Sequence, residues 1–151
     1  MGTDIHTSIE TRISDGVWRE MPDYHCPPLF DWRDYGMFGF LADIRNDAHV
    51  PVIAEPRGLP EDCSPEVAKS YAAWGVDGHT PSWLTLAELQ AFDYDLRFWN
   101  RRAALADEGE GTHETIRELL GPGYFDELCR LGEMWPGLGA DNVRIVFWFD
   151  S

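Results

Sequence analysis

Asp4-Ile5-His6-Thr7-Ser8-Ile9-Glu10-Thr11-Arg12 changes character at every second residue. Successive side chains of a strand point to opposite faces, so Asp4, His6, Ser8, Glu10 and Arg12 share one face while Ile5, Thr7, Ile9 and Thr11 share the other. The apolar face suits a core. The polar face must meet water, a ligand or buried partners, which makes it the first place to look for function. At the far end, Val143-Arg144-Ile145-Val146-Phe147-Trp148-Phe149 is β-branched and aromatic, too short for an ordinary helix and too apolar for an exposed edge. It is expected to be a central strand beside the first. With helical patterns between them, the fold class is α+β: a small, mainly antiparallel sheet of an N-terminal hairpin plus the C-terminal strand, packed with several helices.

The hairpin follows from Asp15-Gly16, a turn pair that tolerates positive φ, and predicts a second strand over Val17 to Met21. Residues 22–33, with Pro22, Tyr24, Pro27, Pro28, Phe30 and Trp32, read as a loop that covers a site or pins itself to the core. Asp34 caps a helix expected from Tyr35 to Ile44, and Ser64-Pro65-Glu66 opens one expected to run to Trp74. The run Asp77 to Trp83 reads as a loop, after which Thr85-Leu86-Ala87-Glu88 is a capping box. Residues 93–106 are expected to be helical through Leu96, Trp99 and Leu105, and Asp107 to Gly111 a polar break. Further helices are expected from Thr112 or His113 to Leu120 and from Tyr124 to Trp135, separated by Gly121-Pro122-Gly123.

At 151 residues the chain has the length of a single domain. It has no apolar run of the ~18 residues a membrane helix needs, and its start lacks the basic and apolar regions of a signal peptide, so a cytoplasmic protein with no membrane partner is expected. Cys26, Cys63 and Cys129 are odd in number and lack C-x-x-C spacing, which fits reduced structural thiols. Twelve Lys and Arg against 27 Asp and Glu give a net charge of −15, which argues against direct nucleic-acid binding. The opposite idea, an acidic mimic of DNA that blocks a host protein, would draw on Glu61, Asp62, Asp107, Glu108, Glu110, Glu114 and Glu118.

Two D-x-H units, Asp4-Ile5-His6 and Asp77-Gly78-His79, each place a carboxylate and an imidazole two residues apart. If they meet, Asp4, His6, Asp77 and His79 form a mixed oxygen and nitrogen set suited to a divalent transition metal such as zinc, manganese or iron. His6-Thr7-Ser8-Ile9 also has the H-x-[S/T]-apolar form of the two-histidine phosphoesterases, with His6 and His79 as the catalytic pair, although Pro81 interrupts the second motif. A third reading takes Arg45, Arg57, Ser82 and Trp83, with His79, as loop residues that bind a small anion through cation, hydroxyl and aromatic face. Its plain alternative is that Arg45 and Arg57 pair internally with Asp43, Glu55 or Asp77.

The string Asp4-Ile5-His6 followed by Glu10, then Ala42-Asp43-Ile44-Arg45-Asn46, Glu55-Pro56-Arg57-Gly58-Leu59-Pro60, Asp77-Gly78-His79, Ser82-Trp83-Leu84-Thr85 and Val143 to Asp150 resembles small uncharacterised proteins of tailed bacteriophages. The resemblance implies a phage product working in the host bacterial cytoplasm. The combined expectation is an accessory, counter-defence protein that binds a nucleotide-like anion and sequesters or hydrolyses it. The rivals are a metal- or histidine-dependent phosphodiesterase and an acidic inhibitor of a host protein. Partners consistent with these residues are the small ligand, a host protein or a second copy in a homo-oligomer.

Overall fold

The computed structural model describes residues 2–22, 28–102 and 112–151. Its elements are β1 (Ile5–Arg12), β2 (Trp18–Glu20), α1 (Tyr35–Ala42), α2 (Pro65–Ala72), β3 (Gly78–Thr85), α3 (Leu86–Ala91), β4 (Arg97–Asn100), β5 (Thr112–Thr115), α4 (Ile116–Met134) and β6 (Val143–Asp150). This is a small α+β fold with a four-stranded sheet, ordered β2-β1-β6-β3, and a two-stranded ribbon, β4-β5. No helix of the described residues is long and apolar enough to cross a membrane. The chain falls into two compact units, residues 1–33, 56–91 and 127–151 in one and residues 34–55 and 92–126 in the other.

The first unit is built on β6. Every residue from Val143 to Phe149 is buried, as its β-branched and aromatic run requires. On one side β6 pairs antiparallel with β1, from Ile5↔Phe149 to Thr11↔Val143. On the other it pairs with β3. The β1–β2 turn is made as expected, with Gly16 at φ 76° and the Val17 N–H donating to Asp15 Oδ1 at 3.0 Å. Strand β2 covers only Trp18–Glu20 of the expected Val17 to Met21. In the loop that follows, Leu29 and Phe30 are buried, and the Leu29 carbonyl accepts from Thr7 Oγ1 at 2.6 Å. This part of the loop is pinned to the core; Tyr24, Cys26 and Pro27 lie outside the described residues.

Helix α2 starts at the predicted cap, Ser64 Oγ accepting from the Val67 N–H, with Pro65 in the first turn. Val67 then packs on Val146 and Trp148 of the sheet, together with Leu59, Cys63, Tyr71, Trp74 and Trp83. The capping box at α3 is also present: the Glu88 N–H donates to Thr85 Oγ1, and the Thr85 N–H to Glu88 Oε1, both at 3.1 Å.

The Asp77 to Trp83 loop expectation is corrected, because Gly78–Thr85 is the edge strand β3. Pro81 misled the reading, since proline is excluded from central strands but tolerated at edges and bulges. The register runs His79↔Phe149 and then Ser82↔Phe147, three residues against two, so one extra residue is accommodated where Thr80 takes φ 51°.

The second unit carries α1, β4, β5 and the first part of α4. Asp34 caps α1 by accepting from the Met37 N–H at 3.1 Å, and the helix ends two residues short of Ile44, with Asp43 in the left-handed region at φ 61°. A Cβ at Gly39 would stand 2.6 Å from Asn46 Oδ1, so glycine there permits a close approach rather than weakening the helix. The helix expected over residues 93–106 is corrected at Arg97–Asn100, which forms β4, paired antiparallel with β5, while residues 101–102 are helical as expected. Residues 103–106 and the expected break at Asp107 to Gly111 lie outside the described residues. Likewise the helix expected from Thr112 begins only at Ile116. Helix α4 is interrupted at Gly121, which takes φ 75° and ψ 172° just before Pro122, as the Gly-Pro-Gly spacing implies. Phe40, Tyr94 and Tyr124 form the aromatic centre of this unit, with the Tyr94 and Tyr124 hydroxyls 2.8 Å apart.

Candidate functional site

Residues directly opposite in an antiparallel ladder point to the same side. The polar face of β1 therefore includes His6 with Trp148, Ser8 with Val146 and Glu10 with Arg144, while Trp83 joins Val146 from β3. Helix α2 covers part of this face, so most of it is not open to solvent. Glu10 and Arg144 are fully buried: Arg144 Nε donates to Glu10 Oε1 at 2.8 Å, and Nη2 lies 2.7 Å from the same oxygen. The angle at Nη2 is poor for a hydrogen bond, so that contact counts as charge attraction alone. Glu10 Oε2 accepts the Ser64 N–H at 2.7 Å, and Arg144 Nη1 donates to Asp62 at 3.0 Å. The guanidinium lies over the ring of Trp18 at 3.9 Å and beside Trp83 at 5.5 Å. This is a structural ion pair in an aromatic box. Sequence reading passed over Arg144 because it sits inside an apolar run.

The two D-x-H units do not converge. His6 is registered with Trp148, and His79 with Phe149, the next residue of β6. Neighbouring residues of one strand face opposite ways, so the two imidazoles occupy opposite faces of the sheet. His6 Nε2 lies 2.9 Å from Asp150 Oδ2, with its ring 4.1 Å from that of Trp74. His79 Nδ1 lies 3.0 Å from Thr80 Oγ1. Asp4 is held by a bidentate bond from Arg33, which lowers its pKa below the ordinary carboxyl value. Asp77 is exposed in the turn before β3. Among the described residues no group of three or more His, Cys, Asp or Glu could hold a metal ion. A two-histidine catalytic pair at His6 and His79, and a metal at Asp4, His6, Asp77 and His79, are thus not supported by the geometry.

Three of the four anion-binding candidates do come together. The Arg57 N–H donates to Ser82 Oγ at 3.0 Å, and its guanidinium lies 4.6 Å from the Trp83 ring centroid and donates to the Trp83 carbonyl at 3.1 Å. Arg57, Trp83, Leu59, Pro60, Glu61 and Asp62 line a shallow pocket of about 380 Å³. However, the guanidinium is already engaged in a bidentate pair with Glu88. That pair holds the Glu88 carboxyl down to about 2 and raises the Arg57 pKa. Internal pairing of Arg57 was anticipated, but with the wrong carboxylates. Since Glu61 and Asp62 also line the pocket, an anion gains little there.

Arg45 belongs to the second unit and to a different cleft, of about 240 Å³, lined by Asp34, Tyr35, Gly36, Ala48, Asn100, Arg102 and Leu119 as well. Its guanidinium lies over the Tyr35 ring at 5.9 Å. Asp34, the carboxylate among these lining residues, accepts from the Met37 N–H at 3.1 Å, and Asn100 Nδ2 donates to Glu114 at 2.6 Å. Sequence reading did not single out Asn100 or Arg102; the adjacent Arg101-Arg102 in so acidic a chain was the available signal. Of the acidic residues that suggested a DNA mimic, Asp62, Glu114 and Glu118 have partners within the fold, and Asp107, Glu108 and Glu110 lie outside the described residues. Compared with family models, curated proteins and solved structures, the chain matches none.

Proposed function

We propose that this chain is a phage accessory protein of the host bacterial cytoplasm that binds a small, nucleotide-like anion in the second unit. The observation that carries this reading is the cleft where Arg45 and Arg102 meet Tyr35 and Asn100. Two guanidiniums, an amide and an aromatic ring are the groups that hold a phosphate and the edge of a sugar or base. A volume of about 240 Å³ is smaller than the ~300 Å³ at which drug-sized sites begin, so the cleft suits a phosphate or phosphosugar end, with the rest of the ligand outside. Sequestration is favoured over hydrolysis, because His6 and His79 offer no joint acid and base.

Calorimetric titration against cyclic and ADP-ribose-type nucleotides tests the reading. Replacing Arg45 or Arg102 by Ala is expected to weaken binding by about 1.5–3 kcal/mol, the scale of a hydrogen bond to a charged group, with the melting temperature unchanged. Absence of binding by the intact protein to every member of the panel overturns it.

A further inference from the structure

The cleft that carries Arg45 and Arg102 also holds a carboxylate. Asp34 lines it, next to Tyr35 and Gly36 in the first turn of α1. A Cβ at Gly36 would stand 3.2 Å from Asp34 Oδ1 and 2.9 Å from Leu119 Cδ1, so the carboxylate and Leu119 both close on this glycine in the cleft wall. Asp34 Oδ1 caps the helix by accepting the Met37 N–H at 3.1 Å. Its Oδ2 has no hydrogen-bond or ion-pair partner among the described residues. Asn100 is differently placed: its Oδ1 already accepts the Arg102 N–H at 3.0 Å while its Nδ2 donates to Glu114, so this amide fastens the residue that bears the second guanidinium.

We infer that Asp34 is a specificity-determining residue of this cleft, and that it selects a phosphorylated sugar with free hydroxyls over a phosphate that carries none. The inference rests on the cleft being the anion site proposed above. Arg45 and Arg102 can only donate, so they take the phosphate oxygens. An ionised carboxylate can only accept. An unprotonated phosphate oxygen therefore meets Asp34 as a like charge, whereas a sugar hydroxyl meets it as the donor of a charge-assisted hydrogen bond. A lining with both kinds of group fits a ligand that has acceptors at one end and a donor at the other. An analogue without the donor leaves the carboxylate oxygen facing it unpaired, which is how a site built for a hydroxyl rejects the compound that lacks it. Asparagine separates this role from that of the cap, because its amide oxygen can still accept the Met37 N–H while an NH2 donor stands in place of Oδ2.

The test is titration of the intact protein with AMP and with dideoxy-AMP, which lacks both sugar hydroxyls. The parent is expected to bind AMP tenfold or more tighter, the scale of a hydrogen bond to a charged group. In Asp34→Asn that preference should largely disappear, through weaker binding of AMP and unchanged or tighter binding of the dideoxy compound, with the parental melting temperature. A residue that served only as a helix cap would weaken both ligands alike or neither, and leave the preference as it was. Equal binding of the two compounds by the parent, or a preference that survives Asp34→Asn, overturns the inference; if Arg45→Ala still abolishes binding, the cleft stands as the anion site. Another nucleotide bound through Arg45, with neither AMP nor its analogue bound, has the same meaning. Absence of binding by every nucleotide overturns the cleft and this inference with it, so the two readings fail distinguishably.

Discussion

His6 and His79 stand on opposite faces of one sheet, with strand β6 between the strands that carry them. Two inter-strand steps of about 4.8 Å already separate their backbones. Replacing His6 and His79 by Ala, singly and together, should therefore give stability changes that add within about 0.5 kcal/mol. A coupling well above that, read from urea melts of the four proteins, would show that the two imidazoles share a site after all.

The Glu10 and Arg144 side chains are 0% and 2% exposed, so neither can turn to water if its partner is lost. Glu10→Ala removes the acceptor of the Ser64 N–H and leaves the buried guanidinium only its bond to the exposed Asp62, and should cost about 3 kcal/mol of unfolding free energy. Combining Glu10→Leu with Arg144→Met removes both charges and should recover most of the loss. A single variant as stable as the parent would show that the pair is solvated.

Glu88 titrates near 2 when folded, because the Arg57 guanidinium bonds to its charged form, against an ordinary value of 4.5. Its contribution is thus fully present above pH 4.5 and is lost as pH falls toward 2. About a third of each side chain is exposed, so screening reduces the pair to on the order of 1 kcal/mol. Melting temperatures of the parent and Glu88→Gln should differ at pH 6 and converge by pH 2.5; a constant gap contradicts this.

Burial pushes the Tyr94 hydroxyl up to about 12 and that of Tyr124 well above its ordinary 10. Both stay protonated in the fold while an unfolded chain ionises them near 10, so stability should decline from about pH 10 upward. Tyr124→Phe removes one such group and should make that alkaline decline shallower in melts between pH 8 and 11.5.

Cys129 is exposed, whereas Cys63 is partly buried and its thiol pKa is raised, chiefly by desolvation and next by the Glu10 charge. The thiolate is the reactive form. Peptide mapping after brief alkylation at neutral pH should find Cys129 labelled well before Cys63, and the reverse order would contradict the packing of Cys63 around Val67.

How far the sequence could be read depended on how local the signal was. β1, β6, the Asp15-Gly16 turn and the caps at Asp34, Ser64 and Thr85 are each specified within a few residues, and each is present. Strand β3 was hidden by Pro81, and β4 by an i, i+3 spacing of Leu96 and Trp99 that imitates a helix. Its true partner, β5, pairs Arg97 with Thr115 across a stretch no local pattern spans. The site suffered in the same way. Arg57, Ser82 and Trp83 come together, but the carboxylate that engages Arg57 lies 31 positions away, and the one that holds Arg144 lies 134 away. Charge pairs at such separations leave no trace in spacing, so the choice between a poised cation and a neutralised one waits on the fold.

The central position of β6 also sets an order of events during synthesis. Strands β1 and β3 emerge from a ribosome long before Val143, yet neither touches the other in the finished sheet; each pairs with β6. Until that last strand is made, β1 has only the short β2 beside it and Leu84 has no ladder to join, and the nascent first unit must wait with its apolar residues uncovered. Such non-local closure is slow and exposes sticky edges, so any chain stopped before residue 143 should be a client for chaperones rather than a folded intermediate.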